Sequence, residues 1–170
     1  SELMCLKNTS KLMNEEVREI YIELWSLCKD VERPLCHKYR SLRELFERVA
    51  RNQMQNISLQ ATDLAARINY LSTQFSFDGW LKYALHTFRL TSNDVMNHRK
   101  EPLDDEFFRD IRAVSEAIQI IYHTPIPKEL TEILPKQMSK YSMKREKNVL
   151  ERRVRVCFEY ADEDFLYVTP

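Results

Sequence analysis

A single glycine, Gly79, stands in the 170 residues of this chain. Ordinary usage near 7% would supply roughly 12. Gly-rich phosphate loops of the P-loop and Rossmann kinds need several glycines at fixed spacing, so neither can be built here. Tight hairpins of the Asn-Gly or Gly-Gly type are excluded for the same reason. The chain is therefore expected to be mainly α-helical, and most nucleotide-dependent catalysis is excluded within it. Apolar residues make up 44% of it, enough to bury a core and too many for a disordered segment. No run of 18 or more apolar residues occurs, as a membrane-spanning helix would need. The opening SELMCLKNTS lacks the apolar stretch of a signal peptide. Cys5, Cys28, Cys36 and Cys157 show no disulfide spacing and read as thiols of a reducing cytoplasm, the expected location.

Apolar periodicity places the helices. Val17, Ile20, Tyr21, Leu24, Leu27 and Cys28 recur at steps of three and four, a helix over 14–29 with Asn14 as its N-cap. Leu35, Tyr39, Leu42, Leu45, Phe46 and Val49 form the second stripe, opened either by Pro34 or by the capping box at Ser41. Ser58 is expected to cap a third helix with Leu59, Leu64, Ala65, Ile68 and Leu71 inward. Asp78 opens a fourth, with Leu81, Leu85 and Phe88, interrupted around Thr91–Asn93 where side chains compete for the backbone. The fifth has the strongest stripe, Phe107, Phe108, Ile111, Val114, Ile118, Ile121 and Tyr122. It begins at the acidic Asp104, Asp105 and Glu106, which complement a helix dipole, and ends at Thr124-Pro125-Ile126-Pro127. A short sixth helix covers 128–134. The expected core is Leu24, Leu45, Phe46, Leu64, Ile68, Leu81, Phe88, Ile111, Val114 and Ile118.

From 152 the period changes to two, and Val154, Val156, Phe158 and Tyr160 predict a half-buried strand. Phe165–Val168 predicts a second after the acidic turn 162–164. The expected organisation is a helical domain over 1–135, an irregular bundle of five to six helices, then a basic linker over 136–151 and a β-hairpin over 152–170. An isolated hairpin is marginal in water, so the hairpin reads as the start of a further domain or of a truncated sheet. The chain is accordingly expected to be a piece of a longer protein. No internal repeat stands out, which argues against a solenoid.

Catalytic motifs are wanting. Cys28, Cys36 and His37 match no zinc spacing, and His86 and His98 form no H-E-x-x-H. A G-x-S-x-G elbow is impossible with one glycine. Cys36 and His37 are helix neighbours that point about 100° apart. No Arg precedes a His by five to seven residues, which removes the helical ribonuclease pattern. The chain is expected to hold no cofactor or metal and to be no enzyme as it stands.

One segment is uneven in charge. The whole chain balances 26 basic against 26 acidic residues, yet 136–155 holds eight cations against Glu146 and Glu151, a local charge of +6. Lys140, Lys144, Arg145, Lys147, Arg152, Arg153 and Arg155, with Tyr141 among them, are the candidate contacts to a DNA or RNA backbone. The blander reading is a solvated linker whose charge pairs with the four acids of 159–170.

The words SLRELFERVARN at 41–52, LQATDLAARINYL at 59–71 and RDIRAVSEAIQIIYHTPIPKEL at 109–130 carry a resemblance. Together they resemble the helical amino-terminal region ahead of the ATPase core in some bacterial superfamily 1 helicases. The resemblance covers about two thirds of the chain and lies in helix pattern and word order. It includes no Walker motif, so ATP hydrolysis transfers to no residue here. It implies a non-catalytic accessory domain of a larger nucleic-acid-processing protein, the parent being an ATP-dependent helicase. The alternative is a protein–protein interaction or scaffold domain without nucleic-acid contact. Partners are then DNA or RNA, the rest of the parent chain, or a second copy paired through the C-terminal strands.

Overall fold

The computed structural model describes residues 2–55 and 63–135, with side chains from Asn14 onward. Six helices make up the described region: α1 Glu2–Lys29, α2 Leu35–Gln53, α3 Leu64–Gln74, α4 Gly79–Met96, α5 Asp104–Tyr122 and α6 Lys128–Ile133. No strand occurs among the described residues, and no helix there is long and apolar enough to cross a membrane. The expected hairpin, the basic linker and Ser58 with Leu59 lie outside the described residues.

The bundle is arranged around α2, which packs on α1, α3, α4 and α5. α4 packs on α5 and α3, and α1 crosses α5 and α6. All ten expected core residues are buried in one contiguous cluster. Their stripes meet because each helix must hide its apolar side against another helix. Edge-to-face ring pairs join distant segments: Phe46 to Phe88 with centroids 6.1 Å apart, and Tyr39 to Phe107 at 5.2 Å.

Several helix boundaries correct the sequence reading. α1 begins at Glu2 rather than at Asn14. No Gly or Pro interrupts residues 2–29, and an exposed Asn inside a helix costs only a fraction of a kcal/mol. α2 begins at Leu35 with Pro34 at its N-cap, so Ser41 lies inside the helix. α3 begins at Leu64, where Asp63 caps it by accepting from the Ala66 N–H at 2.9 Å. Asp78 does occupy the N-cap of α4, though its side chain makes no cap hydrogen bond.

α4 runs unbroken through Thr91–Asn93. The Ser92 and Asn93 side chains are engaged across the bundle instead of unwinding the backbone. Arg43 of α2 donates to Ser92 Oγ at 2.9 Å and to Asn93 Oδ1, while its Nε bonds Glu47 at 3.0 Å. Ser92 in turn donates to the Arg89 carbonyl, one turn back. A polar segment that reads as a break alone becomes a tie between helices once α2 lies beside it.

Candidate functional site: a groove between α1 and α6

α5 ends at His123, whose φ of 51° and ψ of 37° place it in the left-handed region. Such a residue stops a helix, and His is among the non-glycine types that tolerate the conformation. The following Thr124-Pro125-Ile126-Pro127 cannot resume it, since proline lacks the N–H a helix interior needs. Side chains hold this connector in place. Tyr21 of α1 donates its hydroxyl to the Thr124 carbonyl at 2.8 Å, and Gln119 Oε1 accepts from the Ile126 N–H at 3.1 Å. Burial, reinforced by the nearby Glu116 carboxylate, holds the Tyr21 phenol above its ordinary range, so it stays a donor. Leu130 of α6 is then pressed into the core at 1% exposure.

The connector and α6 leave an open groove along α1 with a volume of about 490 Å³. Its walls are Val17, Tyr21, Ile22 and Trp25 on one side and Pro125, Pro127 and Leu130 on the other. Arg18 and Glu129 stand at its edges, both exposed. Ile22 and Trp25 are 53% and 39% exposed, whereas Val17, Ile20, Tyr21, Leu24 and Leu27 on the same helix are buried. Burying such side chains is worth roughly 1.5–3 kcal/mol each, so leaving two together in water is an unspent driving force for association. The groove brings together no nucleophile and base. Its chemistry is apolar contact with a polar edge.

Away from the groove, the buried Asp110 and the half-buried His86 are perturbed groups held by neighbouring side chains. Asp110, 1% exposed on α5, accepts from Tyr39 of α2 at 2.7 Å and from Arg109 Nε at 3.2 Å. Burial pushes its carboxyl up to about 6, against the opposing pull of Arg109 and Tyr39. His86 lies between Asn69 and Arg89. Arg89 Nε donates to its Nδ1 at 3.3 Å, so Nε2 carries the hydrogen and donates to Asn69 Oδ1 at 2.9 Å. Burial, with the charge of Arg89 beside it, lowers its pKa to about 4, which keeps the ring neutral. His37 is exposed beside a half-buried Cys36, so the two present different sides of α2. Among the described residues no three His, Cys, Asp or Glu side chains gather as a metal site would require.

The candidate contacts Lys140, Lys144, Arg145, Lys147, Arg152, Arg153 and Arg155 all lie outside the described residues. Residues 1–135 carry 18 basic against 20 acidic residues, so the excess of cations in the sequence lies in the later segment. The groove was missed from sequence, yet a signal was present: Ile22 and Trp25 are apolar residues off the inward stripe of α1. Asp110 had a comparable signal, an acid set among Phe107, Ile111 and Val114 on the buried arc of α5. No protein-family model, no curated protein and no solved structure matches this chain.

Proposed function

We infer that this chain is a non-catalytic protein-interaction domain, whose groove between α1 and α6 receives an apolar helical segment of a protein. The observation that carries the reading is the exposure of Ile22 and Trp25 side by side at the mouth of an apolar groove. Tryptophan with a flanking aliphatic is the kind of anchor on which helix-in-groove contacts depend. A photoreactive benzoylphenylalanine in place of Ile22, in the full chain in its own cells, should give a discrete protein adduct. The same group in place of Glu44, exposed on α2, should not. Absence of an adduct specific to position 22 overturns the reading.

A second reading is favoured by the basic segment. In it the helical body is an accessory domain of a nucleic-acid-processing, helicase-like protein, and 140–155 follows a phosphate backbone. Its support is the local charge of +6 over 136–155, together with the resemblance in helix pattern. Binding of labelled DNA and RNA should then weaken steeply between about 50 and 200 mM salt. Neutralising Lys144, Arg145, Arg152 and Arg153 together should flatten the salt slope, by about one unit for each phosphate that no longer meets a cation. No binding at the lower salt removes this reading for the chain.

A further inference from the structure

We propose that the partner of the α1 face is a second copy of this chain, lying antiparallel to the first about a two-fold axis at Ile22. The inference rests on reading the groove as a protein contact, and it adds the partner's identity.

The charge order along the exposed face of α1 selects this partner. Glu15, Ile22 and Lys29 are seven residues apart, and all three are exposed. Seven residues make nearly two helical turns, so the three form one stripe that drifts only about 20° per step. Glu15 and Lys29 join no ion pair among the described residues. Ile22 stands midway, with an acid two turns before it and a base two turns after. An antiparallel copy centred on Ile22 sets each Glu15 against Lys29 of the second copy, and Ile22 against its own equivalent. A parallel copy in the same register would set Glu15 on Glu15 and Lys29 on Lys29.

Arg18, Glu19 and Trp25, also exposed, fit the same arrangement. Trp25 lies three residues after Ile22, and Glu19 and Arg18 lie three and four before it. Each indole therefore falls beside Arg18 and Glu19 of the second copy. A guanidinium over an indole face is a favourable pairing. Two-fold symmetry doubles every such contact, which is why a self-complementary stripe is an efficient dimer surface. Trp25 also borders the groove, so the approaching helix covers the open wall formed by Pro125 and Pro127.

The purified full chain is tested by sedimentation equilibrium from low micromolar to near-millimolar concentration. A monomer–dimer equilibrium is expected. Trp25→Ser and Ile22→Ser should each weaken it by about tenfold or more, the loss typical of a central anchor. Unchanged far-UV circular dichroism would show that these exposed substitutions leave the fold intact. Glu15→Lys alone and Lys29→Glu alone should each weaken the dimer several-fold, and the two together should restore it. A chain that stays monomeric throughout overturns the proposal. So does a dimer indifferent to positions 22 and 25, or one that the paired charge exchange does not restore. A monomeric chain that still gives a position-22 adduct to a different protein would remove self-pairing and leave the interaction-domain reading standing.

Discussion

Phe46→Ala should destabilise the folded chain by about 3–5 kcal/mol, the range for deleting a fully buried aromatic side chain. Phe46 is 0% exposed on the central helix α2, and its ring meets Phe88 of α4 edge to face at 80°. Truncation removes the transfer free energy of the ring and leaves a cavity beside Phe88 that packed helices close only in part. Domains are stable by only about 5–15 kcal/mol, so this one substitution takes a large share. The melting temperature should fall by about 10 °C or more. Phe46→Leu, which keeps most of the volume, should cost much less. Urea unfolding of the three proteins checks the order. A loss below about 1 kcal/mol for the alanine variant would mean that α2 is not the packed centre of the bundle.

Tyr39→Phe should cost about 1.5–3 kcal/mol near neutral pH, the range for a hydrogen bond to a charged group, and clearly less in mild acid. The substitution keeps the ring, and with it the edge-to-face contact with Phe107, and deletes only the hydroxyl. That hydroxyl donates to the buried Asp110 carboxylate at 2.7 Å. Burial raises the Asp110 carboxyl to about 6 in the fold, with the nearby Glu106 carboxylate pushing the same way. The unfolded chain has an ordinary value near 4. The ionised form is thus disfavoured in the fold relative to the unfolded chain. Asp110's contribution to stability is fullest below about pH 4, declines as pH climbs toward 6, and is level above that. Above pH 6 the carboxylate is charged and leans on the Tyr39 hydroxyl, so losing the donor costs most there. Urea unfolding of both proteins at about pH 5 and pH 8 separates the two regimes. An equal cost at both would show that the carboxyl is not ionised against that hydroxyl.

These two positions differ in how readable they were. Phe46 lies on a stripe that repeats every three or four residues, and a single helix suffices to identify its buried side. The same holds for Leu24, Ile68 and Val114, all buried as their periodicity requires. Asp110 breaks the pattern, because an acid on a buried arc is tolerated only where a donor waits on another element. That donor is 71 residues away.

Proline and the lone glycine also wrote their punctuation locally. Pro34 stands at the N-cap of α2, Gly79 opens α4, and Pro125 lies in the connector after α5, where a missing N–H costs a helix nothing. Asn14 and Thr91–Asn93 misled for one reason: polar residues resemble breaks until exposure or a partner such as Arg43 accounts for them.

By itself, then, the amino-acid order determined the helical class and the inward side of each helix. Those properties depend on neighbours within two turns, and glycine scarcity leaves few other folds. Tertiary structure alone decided that Arg43 ties α2 to α4, that Asp110 finds Tyr39, and that Ile22 and Trp25 border a groove. The groove exists because Tyr21 bonds the Thr124 carbonyl, 103 residues further along the chain. Surfaces of that kind belong to pairs of distant segments, and no local pattern of side chains specifies where two helices leave a gap.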